Sequence, residues 1–490
     1  MVRKKIAILG GGSAGWLTAL FLKKNWDNLE IAVIEDPNSQ PIIAGESCTV
    51  PFINPLEFLN VPIPEWTNEV GAFPKLGGKF VNWSGDHSFF TQPLFSRYLN
   101  RYNCNYPEFG NKNDLIAGCL ALNLSVSDLS VSTKLIKDKK TPFINNETAV
   151  VSPMWHFDSR KNAAYLKKLG VSQGIGLIEK KFVNANLKNS GSIKSLILED
   201  NTELTSDWFF DCSGFAQLLL KNTLNQQFED CKSEMPVHSV IAWWDESSEL
   251  PYTEMTALKA GWSFDVSLHH RSGRGYVYNN SYITADQAVD EINQTFKKNI
   301  TPVASMSWDP SLSLHPWEKN VIGIGLSTGF LEPLGSPGHT LIGLQLKLLS
   351  EYWNPKLSED SNAKFLHNEK YQDIITDVKD FINLHYVTSR KDSNFWLDMQ
   401  SRTLSDSLNA KISNWKLGVF SDDFPVYSFE NYAVVLQGNK IINFDFLKEQ
   451  LCYKRKNLLE SVFREYSQLM IEAELITRQC SYLSNWRSND

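Results

Sequence analysis

Seven cysteines are scattered through the 490 residues, and no two of them stand in a Cys-x-x-Cys spacing. An odd number so placed excludes a zinc ribbon and fits free thiols in a reducing compartment better than a disulfide framework. No metal site is expected. Long apolar runs are also missing, none reaching the roughly 20 residues that span a bilayer. Basic clusters are few and short, Lys137 to Lys140 and Lys454 to Lys456, and the net charge is -7. That balance leaves no footprint for nucleic acid or an anionic membrane. The start of the chain imitates a secretion signal, with Arg3, Lys4 and Lys5 before an apolar stretch. Gly10, Gly11 and Gly12 interrupt that stretch, and no small-residue cleavage site follows. The expected location is therefore cytoplasmic.

A hydrophobic share of 42% against 21% charged allows a large globular core. The opening residues read as βαβ: an apolar run over Lys5 to Leu9, three glycines, an apolar helix over Ala14 to Asn25, then a strand over Glu30 to Glu35. Strand-like runs follow at Ile193 to Leu198, Trp208 to Cys212, Ser239 to Trp244, Gly261 to Leu268 and Gly275 to Asn279. Arg271, Ser272 and Gly273 between the last two suggest a hairpin. After about residue 340 the pattern is mainly helical, clearest over Leu341 to Trp353 and Tyr371 to Tyr386. The expected fold is α/β, a Rossmann-like core with an inserted β-sheet and a helical C-terminal region. In residue terms the core is 1–340, with the inserted sheet at about 70–150 and 230–320, and the helical part is 341–490.

Gly10-Gly11-Gly12-Ser13-Ala14-Gly15 lies between strand and helix, where a dinucleotide fingerprint has a mechanism. Gly10 permits a tight turn, Gly12 lets the backbone approach a pyrophosphate, and Gly15 allows helix and strand to pack closely. Glu35 closes the next strand 20 residues after Gly15, the place for a carboxylate on a ribose hydroxyl. Asp211-Cys212-Ser213-Gly214 and Gly323-Ile324-Gly325 are late segments suited to completing an extended FAD site. No second glycine fingerprint serves a nicotinamide nucleotide, so the flavin is expected to arrive reduced from a separate flavin reductase.

The chain resembles the flavin-dependent halogenases of the tryptophan halogenase family. The likeness runs in order through Gly10 to Trp16, Ala44 to Pro51, Gly78 to Trp83, Trp155 to Asp158, Asp211 to Phe215, Gly329 to Leu334, and His385-Tyr386 with Trp396. It implies that Gly45, Glu46 and Ser47 belong to a flavin loop, and that Leu334 joins Asp211 and Gly325 at the cofactor. It further implies that reduced FAD (FADH2), O2 and a halide ion give hypohalous acid, which travels through the protein to a catalytic lysine, Lys79. That lysine is expected to be buried among Phe80, Val81 and Trp83, beside a small aromatic substrate. Phe89, Phe90, Trp396, Phe429 and Tyr432 are candidates for the walls of the substrate pocket. A homo-oligomer is left open.

Two departures stand out. Where the family has Trp-x-Trp-x-Ile-Pro, this chain reads Trp262-Ser263-Phe264-Asp265-Val266-Ser267. Trp262 and Phe264 read equally as a gate or as a core strand. Tryptophan-acting members carry glutamate, serine, threonine and glycine after Glu-Pro-Leu; here Gly335, Ser336, Pro337 and Gly338 stand there. The resemblance makes that glutamate the support for proton removal from the ring, so free tryptophan is put in doubt. Ser336 as N-cap and Pro337 at the first helical position predict a helix start with Gly338 and His339 offering N–H groups to a halide. Pro337 has no N–H of its own, which favours bromide or iodide over chloride. An aromatic hydroxylase using the same flavin without halide, or a catalytically degenerate FAD-binding protein, are the alternative readings.

Overall fold

The computed structural model describes residues 3–39, 46–95, 112–145, 148–356, 361–421, 424–454 and 457–485. Gly45 and Cys104 lie outside them, as does the side chain of Glu46. The described chain divides into two units, Met1–Ala72 with Phe157–His238 and Ser307–Ile375, and Phe73–His156 with Ser239–Met306 and Thr376–Asp490.

The first unit is built on the strand Lys4–Leu9, in which Ile6, Ala7, Ile8 and Leu9 are all buried. An apolar run covered on both faces is the mark of a central parallel strand. It pairs in parallel with Leu29–Glu35 on one side and Trp208–Asp211 on the other. The sheet order is Gly176–Glu179, Leu29–Glu35, Lys4–Leu9, Trp208–Asp211, Val321–Gly323, with Trp317–Glu318 antiparallel at the edge. Helix Ser13–Asn25 makes the first crossover, and Lys23 and Lys24 in its last turn suit the negative end of its dipole. Helix Ser159–Ser172 starts at Asp158, whose carboxylate accepts the N–H groups of Arg160 (3.0 Å) and Lys161 (3.2 Å). Such a cap is worth about 0.5–2 kcal/mol. A small antiparallel sheet, Phe182–Leu187, Ile193–Leu198 and Glu203–Thr205, closes a core of Ile193, Leu196 and Leu198 against Ala7, Leu9 and Phe209.

The second unit holds a seven-stranded sheet. Its order is Ala304–Ser307, Ser239–Asp245, Ser272–Tyr278, Gly261–Ser267, Thr253–Leu258, Gly77–Val81, Phe89–Pro93. The hairpin expected around Arg271 is present, joining Gly261–Ser267 to Ser272–Tyr278 in antiparallel register. Gly77–Val81 pairs in parallel with Thr253–Leu258. The helices Asn394–Ser401, Asp406–Lys416, Phe429–Gly438, Phe444–Lys454 and Leu458–Gln479 belong to this unit.

Two helices run longer than the hydrophobic pattern shows. Pro337–Tyr352 begins before Leu341, and Ser361–His385 begins ten residues before Tyr371. The nearly three added turns from Ser361 are largely polar, so an apolar period cannot reveal them. No helix of the described residues is long and apolar enough to cross a membrane. No disulfide joins the described cysteines.

Candidate functional site

In the first unit the glycine box turns as its spacing predicts. Gly10 has a positive φ of 120°, in the region that favours glycine. A Cβ on Gly15 would stand 1.8 Å from the Gly10 carbonyl oxygen, so the helix lies directly on the turn. A Cβ on Gly12 would meet nothing within 4 Å, and Gly12 is exposed at the N-cap of Ser13–Asn25. That open cradle, at the positive end of a helix, is the shape and polarity a pyrophosphate needs. Ala14 follows, half-buried, and Ser13 Oγ accepts a hydrogen bond from Asn162 Nδ2 at 2.9 Å.

Glu35 ends its strand beside this turn. Its carboxylate is ion-paired with Lys167, which also reaches Glu179 at 2.9 Å. Burial works against the Lys167 charge, but hydrogen bonds to the two glutamates raise its pKa above the ordinary value. Gly11 is needed here too, because a Cβ on it would lie 1.9 Å from Glu35 Oε2. Neither Gly11 nor Lys167 was singled out from sequence.

Asp211 is fully buried, and its carboxylate holds backbone rather than facing outward. It accepts from Ser213 N (3.1 Å), Ser213 Oγ (2.6 Å), Leu219 N (2.8 Å) and Leu220 N (2.9 Å). Burial raises its pKa, and these four donors oppose the rise. Its contribution is to shape the turn after Cys212. Gly325, with φ 74°, comes within 3.2 Å of Ala14 at its missing Cβ position, so the early and late glycine segments meet. Gln345 Oε1 fixes this turn by accepting Gly325 N–H at 2.7 Å. Leu334 and Ser47 are buried.

The segment after Leu334 starts a helix as expected. Pro337 is its first residue, but Ser336 is left-handed (φ 59°) and its hydroxyl caps nothing. Its carbonyl accepts Thr340 Oγ1 at 2.8 Å instead. A Cβ on Gly338 would have one neighbour, Leu326 Cδ2 at 3.5 Å, so this first turn is open. His339 sits edge-on between Phe52 (4.9 Å) and Phe157 (5.1 Å), and desolvation lowers its pKa to about 4. A neutral imidazole there adds no positive charge.

In the second unit Lys79 lies at the middle of Gly77–Val81. Its Nζ is 3.2 Å from Glu254 Oε2, 4.7 Å from the Phe89 ring centre and 5.8 Å from that of Tyr252. The side chain is 24% exposed, so it can be reached. The expected surroundings need correcting. Successive strand residues point to opposite faces, so Phe80 faces away from Lys79, and Trp83, beyond the strand end and after the left-handed Asn82, packs on Phe80 at 5.4 Å. Phe80 stacks on Phe90 (4.8 Å) and on His385 (4.8 Å), while Trp83 Nε1 donates to Met255 O at 3.0 Å. Glu254 and Tyr252 were not foreseen.

Of the five aromatics expected at a substrate, Phe89 alone stands beside Lys79, and it is 63% exposed. Phe90 lies on the Phe80 face. Trp396, Phe429 and Tyr432 are fully buried. Trp396 Nε1 donates to Leu258 O at 2.7 Å, and Tyr432 Oη donates to Asp377 Oδ1 at 2.5 Å. All three are packed against the protein's own groups. Trp262 is packed the same way, its Nε1 donating to Tyr386 Oη at 3.0 Å, and Phe264 fills the space left by Gly275. Elsewhere, Glu229, Cys231 and Glu234 bring three ligand-type atoms within 4.8 Å of one another, an arrangement common without an ion.

The tryptophan halogenase family profile matches residues 5–448. The chain is 27% identical over 440 residues to a tryptophan 6-halogenase of Streptomyces albogriseolus, covering 85% of this chain and 82% of that one. It is 26% identical over 483 residues to a tryptophan 7-halogenase of Lentzea aerocolonigenes, covering 89% of each. The solved structure of a tryptophan C-6 flavin-dependent halogenase (chlorinase) from taromycin biosynthesis superimposes with a TM-score of 0.87 over 99% of both chains, at 25% identity. A tryptophan 6-halogenase of Streptomyces toxytricini gives 0.89 over 99% and 100% at 23% identity, which bears on fold alone. Taken with the glycine box and the lysine-bearing strand, the match over nearly the whole length means that this chain belongs to the tryptophan halogenase family, whose members are flavin-dependent enzymes.

Proposed function

We propose that the chain halogenates an electron-rich aromatic small molecule, with Lys79 presenting the electrophile. The observation that carries this is the Lys79 ammonium, reachable at 24% exposure and bracketed by the Phe89 and Tyr252 rings. Reduced FAD, when bound, supplies the electrons with which O2 and halide give hypohalous acid. The residues that would hold it are the N–H groups at Gly12, Ser13 and Ala14 for the pyrophosphate and Glu35 for the ribose, with Gly325 closing the turn. The open position beside Gly12 supports that fit. A separate reductase would supply the reduced cofactor.

Lys79 then acts by hydrogen bonding. Its ammonium donates to the oxygen of hypohalous acid and polarises the oxygen–halogen bond. The ring carbon attacks the halogen, that bond breaks, and the oxygen leaves as water with a proton from Lys79. The substrate would be a free phenol, indole or similar ring. Free tryptophan is disfavoured because Gly335 has no carboxylate. The halide would sit at the turn of Ser336, Pro337 and Gly338, with bromide or iodide preferred.

The test supplies reduced FAD, O2, each halide in turn and a panel of aromatics, with products read by mass spectrometry. Halogenated product is expected from the native protein and none above background from Lys79→Ala with FAD still bound. Full activity in Lys79→Ala would overturn the assignment. Oxygenated product without halide would make the protein a hydroxylase instead.

A further inference from the structure

Four charged residues form a row across adjacent strands of the second unit. In register, Lys79 faces Glu254, Glu254 faces Asp265, and Asp265 faces Arg274. Directly opposed residues share a face of the sheet, and the contacts bear this out. Lys79 Nζ is 3.2 Å from Glu254 Oε2, and Arg274 Nη2 is 2.7 Å from Asp265 Oδ2.

The signs run plus, minus, minus, plus. Two carboxylates directly opposite one another repel, so each is stable only with a cation of its own. Asp265 is well provided: Arg274 neutralises it, and Ser248 Oγ donates at 2.9 Å. Arg274 also reaches Asp245 at 3.4 Å, so it is spent. Burial pushes the Asp265 pKa up, and the neighbouring Glu254 charge adds to the rise. Glu254 is the accessible member, 29% exposed, and its ion-pair partner among the described residues is Lys79.

As a plain cross-strand ion pair this partly exposed contact would add little to stability. Its place argues for more. It puts a carboxylate at the amine assigned to present the electrophile, beside the Phe89 and Tyr252 rings, in a chain whose Gly335 bears no carboxylate. We infer that Glu254 is the catalytic carboxylate that accepts the proton from the substrate ring.

This rests on the assignment of Lys79, and the chemistry closes through it. After halogen transfer the ring carbon bears both hydrogen and halogen. Glu254 takes the hydrogen as a proton, and the carbon–hydrogen electron pair restores the aromatic ring. Lys79 has meanwhile given a proton to the departing water. Proton transfer from Glu254 back to Lys79 across their 3.2 Å contact returns both groups to their starting charge. The sum is arene plus hypohalous acid giving haloarene plus water.

The experiment compares native protein, Glu254→Gln, Glu254→Asp and Lys79→Ala, using bromide and indole with either hydrogen or deuterium on its ring carbons. Thermal melting and bound FAD are checked first and are expected to be unchanged. Glu254→Gln should lower kcat by roughly 10²–10⁴-fold with little change in KM, the usual worth of a lost general base. It should also turn a deuterium effect near unity into a primary one, because proton loss becomes rate-limiting. Glu254→Asp should recover part of the rate.

A second readout needs no turnover. In protein labelled with ¹⁵N-lysine, the Lys79 ammonium should give a cross-peak sheltered from water exchange that disappears in Glu254→Gln. Native rate without an isotope effect in Glu254→Gln, beside an inactive Lys79→Ala, overturns the role of Glu254 and leaves Lys79 standing. Loss of rate in Glu254→Gln with no isotope effect and no recovery in Glu254→Asp also overturns it. An active Lys79→Ala removes both assignments.

Discussion

The carbonyl oxygen of Gly10 occupies the space a Cβ of Gly15 would need, 1.8 Å from its ideal position. Gly12, three residues earlier, faces open space. The two glycines therefore answer to different demands, one from packing and one from a ligand. Gly15→Ala is expected to destabilise the protein by about 1–3 kcal/mol, as overpacking does, and to lower its melting temperature. Gly12→Ala should melt with the native protein yet bind FAD at least about tenfold more weakly, a loss of ~1.4 kcal/mol. Differential scanning fluorimetry and a flavin fluorescence titration separate the two. Unaltered FAD affinity in Gly12→Ala would remove the pyrophosphate from this turn.

Pro337 starts its helix without an N–H, directly before the open turn at Gly338. Pro337→Thr restores one donor at that turn. A hydrogen bond to a charged group is worth about 1.5–3 kcal/mol, and it should favour the smaller, more tightly held chloride most. The ratio of chlorinated to brominated product in a mixed-halide competition is expected to rise by about tenfold or more. An unchanged ratio would place halide selection elsewhere.

His367 and His385 are almost wholly buried, and desolvation lowers the pKa of each from 6.5 to about 4. In the unfolded chain they titrate near 6.5. Between those values the unfolded chain binds protons that the folded chain does not, so stability rises with pH. The contribution is complete above about pH 6.5 and is lost progressively as pH drops towards 4. Each histidine accounts for ~3 kcal/mol at most, at 1.36 kcal/mol per unit. Urea denaturation at pH 7 and pH 5 should show a gap that narrows in a His367→Gln, His385→Asn double variant.

What could be read from the chain alone was what lies close in sequence. The strand, turn, helix and acid from Lys5 to Glu35 sit within one βαβ unit, and each residue type has a local reason to be there. The helix start at Pro337 was legible for the same reason. Glu254 was not, because it meets Lys79 only through parallel pairing of strands 175 residues apart. The neighbours of Lys79 were misjudged because Phe80 alternates to the other face of the strand, and Trp83 joins it there after the chain turns at Asn82. Trp396, Phe429 and Tyr432 show the remaining difficulty. An aromatic in a helix carries no sign of whether its partner is a ligand or a carboxylate of the same chain.

Tyr432 tests that last distinction. Asp377 and Asp380 are both 1% exposed and share Lys411, whose Nζ lies 3.1 and 3.0 Å from them. Asp377 also accepts Tyr432 Oη at 2.5 Å and the N–H groups of Val426 and Tyr427 at 3.0 Å each. Removing this shared cation leaves two buried carboxylates facing each other, so Lys411→Met should cost about 3–5 kcal/mol. Tyr432→Phe removes a single donor and should cost about 1–3 kcal/mol. If Tyr432 belongs to the core, the stability loss comes with an unchanged product profile across the aromatic panel. A shifted product profile with native stability would instead make Tyr432 a wall of the substrate pocket.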